Sequence, residues 1–376
     1  MDLDLIVVGG GPVGASLARA AGGLSVALLA HQPRVPRASP YEGFDARVYA
    51  LSPGNVQFLR QIGAMPQRAT PVHAMRIYGD GASHIEFDAY RAGVSELAWI
   101  VEDALLQDEL WRALEVEVAP PPEEMVVEGG SVMLRLAGGR KLSARLVVGA
   151  DGARSFVRAH AGIEASERAY GQCALVANFA CERAHANTAY QWFQGGPVLA
   201  LLPLPGKHVS MVWSLPAADA ARVEALGADE LCGEVEAATR GALGGLSLVT
   251  APRSYPLSRL SAQRMVAPRV ALAGDAAHVI HPLAGQGLNL GLQDARALAQ
   301  VLAERGPLHD PGDARLLRRY ERARAEPILA MDAMVNGLYA LFGTRNRFAA
   351  QLRNAGLNLT DRLPVLKNLL IHQALH

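Results

Sequence analysis

Three separated clusters hold the residue types that could do chemistry: Gly9-Gly10-Gly11-Pro12-Val13-Gly14, Asp151-Gly152-Ala153-Arg154-Ser155, and Gly274-Asp275 running on to His281-Pro282-Leu283-Ala284-Gly285-Gln286-Gly287. The first lies between the apolar residues 5–8 and a helical pattern at 12–21, the strand, turn and helix context that a dinucleotide fingerprint requires. There Gly9, Gly11 and Gly14 permit a tight turn, close approach of a pyrophosphate and close helix packing. The helix amino end, with Pro12 in its first turn, supplies oriented N–H groups and a positive dipole. Asp275, following a strand and the turn residue Gly274, can accept from sugar or ribitol hydroxyls; it can also simply cap the next turn. Residues 282–287, with Pro282, Gly285 and Gly287, make an open small-residue loop ahead of a helix at 287–303. Its amino end, with Leu288 and Asn289, can face a flavin pyrimidine ring and favour negative charge there. Asp151 has two readings of equal standing, a turn held by Asp151 and Arg158 or a cofactor contact. A lone glycine fingerprint is weak, but each member of this ordered set suits a different part of FAD.

Two positions complicate that reading. The second strand of a dinucleotide unit usually ends in an acidic residue that bonds the adenosine ribose, whereas here it ends in Ala30 and His31. A hydrogen bond to a charged acceptor contributes roughly 1.5 to 3 kcal/mol, so its loss weakens FAD by about ten- to a hundredfold. His281, where the flavin loop begins, is the one candidate for a direct catalytic role; packing or backbone bonding is the bland alternative.

The positioning elements follow from periodicity. Residues 5–8, 25–29, 145–149 and 270–273 read as buried parallel strands, so all three clusters fall at strand carboxyl ends, where open α/β sheets bind ligands. Alternating patterns at 75–87, 174–180, 198–202 and 209–213 predict a second, half-exposed antiparallel sheet, with a helix at 217–231 lying on it. Helices are expected at 313–324, 328–342 and 345–355. An apolar stripe at 363–376 packs on its own domain or faces a membrane or partner.

Half of the 376 residues are hydrophobic, enough for a large core. The 36 basic and 36 acidic residues cancel, which argues against nucleic acid and for a small-molecule enzyme. Cys173, Cys181 and Cys232 show no metal or disulfide spacing, so no metal is expected and a reducing, cytoplasmic setting is. The acidic start, Asp2 and Asp4 before the first strand, does not read as a secretory signal.

The order of these motifs resembles the para-hydroxybenzoate hydroxylase-like, single-component flavoprotein monooxygenases. Within them, Asp45-Ala46-Arg47-Val48-Tyr49-Ala50-Leu51-Ser52, the run from His281 to Gly291, residues 189–204 and residues 320–324 are similar to the ubiquinone-biosynthesis hydroxylases. The resemblance covers essentially the whole chain. It implies an α/β fold: a discontinuous Rossmann-like FAD-binding domain of the glutathione reductase type (1–72, 98–168 and 258–345), an inserted, mainly antiparallel β-sheet substrate domain (73–97 and 169–257), and a carboxyl-terminal helical segment (346–376). It further implies FAD as cofactor, NAD(P)H as transient co-substrate, and transfer of one oxygen atom from O₂ to the ring of a prenylated phenol or quinol. Other ubiquinone-biosynthesis proteins as partners, and peripheral contact with the inner membrane, are implied too. Carried over, Gly9, Gly11 and Gly14 hold the pyrophosphate, Arg47 and Glu102 lie along the adenosine side, Asp275 binds the ribitol region, and 282–289 line the flavin. One nucleotide fingerprint without a second fits transient docking of NAD(P)H. Two rivals stay open: a flavin-poor scaffold or quinone-binding subunit, and a prenyl reductase or halogenase on the same scaffold.

Overall fold

Leu5, Ile6 and Val7, like Leu146, Val147 and Val148, are apolar on consecutive positions and wholly buried, which only a strand covered on both faces allows. They form the centre of the first sheet in the computed structural model, which describes residues 3–31, 43–79, 84–281, 286–306 and 309–343. The central strand Leu3–Val8 pairs in parallel with Lys141–Gly149 on one side and Val26–Ala30 on the other. Val270–Leu272 and Val116–Val118 extend the parallel array outward. The Gly9, Asp151 and Gly274 clusters therefore leave neighbouring strands at the same edge, as the sequence predicts.

The second sheet has nine strands, with Ala165–Cys181, His208–Pro216, Val198–Leu204 and Thr188–Phe193 as its antiparallel middle. Its one departure from antiparallel order among the described residues is Thr188–Phe193 beside Ala74–Tyr78. The expectation of a half-exposed sheet is not met. One face, with Leu175, Phe179, Met211 and Trp213, packs on the helices Ala217–Glu224 and Ala228–Ala238, and on the opposite side Phe193 and Val198 meet Ile280, Leu290 and Val335. The single helix expected at 217–231 is two, because Gly227 takes an extended conformation and caps the second with Glu230.

A third, small sheet that the sequence does not announce joins Val48–Leu51, Ala98–Glu102 and Ala69–Val72. The helices expected at 313–324 and 328–342 are one, Ala314–Gly343, running through Pro327. Pro327 removes the hydrogen bond to the Ala323 carbonyl, but both residues are exposed, so water can satisfy that carbonyl. No described helix is long and apolar enough to cross a membrane. The helix expected at 345–355 and the stripe at 363–376 lie outside the described residues.

Candidate active site

The turn after Leu3–Val8 is built from backbone alone. Gly9 has φ +115°, and a Cβ there would fall inside the Ala150 carbonyl; one at Gly14 would strike the Gly9 carbonyl. Gly11 is different. It is exposed, has ordinary dihedrals, and no heavy atom lies within 4 Å of where its Cβ would be. Open space thus stands directly before the amino end of the helix Pro12–Ala20, whose N-cap is Gly11 and whose first turn has no side-chain cap. A pyrophosphate fits such a cradle, because backbone N–H groups and the helix dipole converge where no side chain intrudes.

Beside it, the Gly10 carbonyl accepts from Trp111 Nε1 at 2.7 Å and from Gln107 Nε2. Ala30 is buried against Gly10, so residue 30 offers no acceptor to a ribose, and His31 is exposed.

The Gly274 cluster meets the Gly9 cluster through Val13. A Cβ on Gly291 would lie 2.5 Å from Val13 Cγ2 and 3.2 Å from Gly274 Cα, so the helix Gly287–Ala303 seats directly on both turns. Gly274 has φ +61° and is buried, while Asp275 is exposed within an otherwise mostly buried run. Burial among surrounding protein atoms nevertheless raises its carboxyl above the ordinary aspartate value, against the pull of His278 and Arg47. Asp275 is thus open to solvent on one side and crowded by protein on the others.

Arg47 lies across from it in the sequence by more than two hundred residues and interacts with it electrostatically. Its guanidinium sits 5.3 Å from the Tyr49 ring centroid and 5.9 Å from that of Tyr255, which belongs to the second sheet. Tyr49 donates to Asp103 Oδ1 at 3.1 Å, and burial raises the Asp103 carboxyl despite Arg47 and Tyr49. Glu102 is 2% exposed; its carboxylate pairs with Arg68 at 2.7 Å and accepts from Asp45 N at 2.7 Å. It therefore holds the 45–47 segment from behind.

Asp151 makes the turn bonds that the first of its two readings expects. It accepts from Ser155 Oγ at 2.5 Å and Val157 N at 3.1 Å, fixing the start of the helix Phe156–His160. Arg158 then reaches both Ala153 O at 2.7 Å and Ala276 O at 2.9 Å, tying this cluster to the Gly274 turn. Asn289 also fastens: Oδ1 accepts from Ser52 N and Asn55 Nδ2, each at 2.9 Å, and Nδ2 donates to Ala50 O at 2.8 Å. Gly287 and Leu288 open the helix, partly exposed. Pro282 and Gly285 lie outside the described residues.

His281 is buried, with Nε2 3.1 Å from Gln172 Oε1 and its ring edge-on to Tyr170 at 4.7 Å. Burial pushes its imidazole down to about 4, so at neutral pH it is uncharged.

Sequence reasoning missed the group that fixes the Gly274 turn. Asp294 is fully buried; Oδ2 accepts from Gly274 N at 2.9 Å and lies 2.7 Å from His278 Nε2, and Oδ1 accepts from Arg324 Nε at 2.6 Å. Burial alone would raise this carboxyl, but His278 and Arg324 outweigh it and hold it below the ordinary range. Tyr320 donates to Leu272 O at 2.8 Å in the same layer. The available signal was a charged residue, Asp294, in the middle of an otherwise apolar helix face.

A family model described as an FAD binding domain matches residues 111–333. A 3-demethoxyubiquinol 3-hydroxylase from Escherichia coli (strain K12) is 32% identical, over 99% of this chain and 98% of its own. The chain belongs to the ubiquinone-biosynthesis hydroxylase family. Another member, ubiquinone hydroxylase UbiL of Rhodospirillum rubrum, is 33% identical over 99% of this chain and 89% of its own. Among solved structures, Klebsiella pneumoniae HpxO complexed with FAD and uric acid matches with a TM-score of 0.79, covering 99% of this chain and 97% of that one at 19% identity, a likeness of fold. As a ubiquinone-biosynthesis hydroxylase, the chain is an FAD-dependent monooxygenase, and NAD(P)H is the co-substrate typical of the family.

Proposed function

We propose that this enzyme hydroxylates the ring of a polyprenylated phenol or quinol during ubiquinone biosynthesis. The observation that carries the reading is the meeting of the Gly9 turn, Val13, Gly274 and Gly291 at one strand edge, with Arg47 and Asp275 close enough to interact electrostatically beside it. FAD, when bound, supplies the electron transfer from NAD(P)H and the activation of O₂. Gly9, Gly11, Pro12 and Gly14 hold its pyrophosphate, Asp275 its ribitol hydroxyls, and Gly287 and Leu288 the flavin end with 282–285. Glu102, Asp151 and Asn289 act behind these residues, keeping 45–47, the Ala153 turn and the Ser52 loop in place. On this reading the chain divides into an FAD-binding part and an inserted substrate part, joined by the strands Ala165–Cys181 and Arg253–Ala262.

The substrate region is the side of the second sheet beside the apolar cluster in which Phe193 and Val198 pack against Ile280 and Leu290. These side chains offer no hydrogen bonds to water, so they keep the reacting ring dry and accept an isoprenoid chain. His281, neutral at neutral pH and held against Gln172 and Tyr170, lies where the flavin loop begins. The prenyl chain draws the enzyme to the membrane surface and to the other proteins of the pathway.

Deleting the gene in a strain lacking redundant hydroxylases should make an unhydroxylated prenyl-quinol precursor accumulate, identified by mass spectrometry. Normal quinone with no precursor overturns the substrate assignment.

A further inference from the structure

The segment bearing Arg47 is gripped from the second sheet at two points. Asn178, near the carboxyl end of Ala165–Cys181, donates from Nδ2 to Asp45 O at 2.8 Å. Tyr255, on the adjacent strand Arg253–Ala262, places its ring against the Arg47 guanidinium. Asn178 is itself immobile: its N donates to Thr250 Oγ1 at 2.9 Å, its O accepts from Val249 N at 2.8 Å, and its side chain is fully buried.

The grip has a cost that a purely structural asparagine would not explain. Asn178 Oδ1 and Ser210 Oγ, on residues directly opposite each other in neighbouring strands, are both buried without a hydrogen-bond partner among the described residues. A buried polar atom left unpaired is unfavourable, and an aliphatic side chain would serve better if packing were all the position did. What asparagine provides here is the N–H aimed at Asp45 O.

We infer that Asn178, together with Tyr255, is a positioning residue for Arg47, so that the inserted sheet completes the FAD site from outside the dinucleotide-binding part. The inference rests on the reading of the Arg47 neighbourhood as the FAD site. Asn178 acts through the Asp45 carbonyl, two residues from Arg47.

A double-mutant cycle tests it, read as the Kd of apoprotein for FAD by fluorescence titration and as the melting temperature of the apoprotein. Asn178→Leu should weaken FAD about tenfold in the parent, the worth of one hydrogen bond, and less than about twofold in an Arg47→Ala background. Tyr255→Leu, at a partly exposed position that tolerates truncation, should show the same dependence on Arg47 should Asn178→Leu fail to fold. Equal losses in both backgrounds, or unchanged FAD affinity in a folded variant, overturn the inference. A parent that binds no FAD overturns the underlying reading of the site, and this inference with it.

Discussion

The dinucleotide edge and the inserted sheet solve opposite problems. At the edge, glycines clear side chains from a space that backbone N–H groups line, and a buried polar cluster, the Asp294–Arg324 ion pair with His278, holds the turn behind it. On the inserted sheet the walls are aliphatic or aromatic, the imidazole is neutral, and the polar groups of Asn178 and Ser210 are only partly satisfied. One region recognises a charged ligand through rigid dipoles. The other excludes water. An enzyme that reduces a flavin and then oxygenates a greasy ring needs both, placed against each other, and the helix Gly287–Ala303 and the strand Val48–Leu51 are where they meet.

The largest expected effect separates two glycines of one motif. Gly9→Ala should destabilise the fold by on the order of 3 kcal/mol or more, since its methyl collides with the Ala150 carbonyl at a positive φ. Gly11→Ala should leave the apoprotein's stability within about 0.5 kcal/mol, yet weaken FAD about a hundredfold. Thermal melts and FAD titration of the two variants distinguish a turn glycine from a ligand-facing one. Equal behaviour would erase the distinction.

Asp294→Asn comes next. It leaves Arg324 buried without its counter-charge and should cost about 3 to 5 kcal/mol. Its sign with pH is also fixed: a carboxyl held below its unfolded value stabilises at neutral pH and loses that contribution as pH falls through the ordinary carboxylate range toward its folded value. Denaturant titrations from pH 7 downward should therefore show a shallower acid limb in the variant than in the parent.

His281 offers the counterpart on the apolar side. An imidazole pushed from 6.5 to about 4 is tolerated only while neutral, so its share of stability is intact above pH 6.5 and falls away between there and about pH 4, by about 3 kcal/mol. His281→Gln should remove that limb without altering FAD affinity. A pH profile identical to the parent's would show that the imidazole titrates normally. The smallest effect belongs to Ala30: Ala30→Glu should tighten FAD about tenfold by restoring a ribose acceptor, and unchanged affinity would mean that the ribose end is satisfied by other groups.

Much of the dinucleotide edge was legible because its signals are local. Strand, glycine turn and helix lie within about twenty residues, and Gly274 to Leu290 repeats that grammar. The inserted sheet was legible as alternation but not in its coverage, since a strand's pattern does not say what packs on its polar-looking side. Pro327 misled because an exposed helix can solvate a missing bond. Asp294, Asn178 and Tyr255 were invisible for a different reason: each acts on a segment between about twenty and more than two hundred residues away, and only the fold supplies those pairings. Glu102, Asp151 and Asn289 lie in the neighbourhood the sequence suggested, but their side chains are turned to Arg68, Ser155 and Ser52.

The central claim is that one FAD, held by these converging loops beside an apolar substrate region, oxygenates a prenylated ring. Purified protein reconstituted with FAD, NAD(P)H and a prenylated phenol under ¹⁸O₂ tests it most directly. The account predicts a hydroxylated product carrying one ¹⁸O, by mass spectrometry, and none of that label with Gly11→Ala at limiting FAD. Product oxygen drawn from water, or no product from a folded, flavin-loaded enzyme, would contradict it.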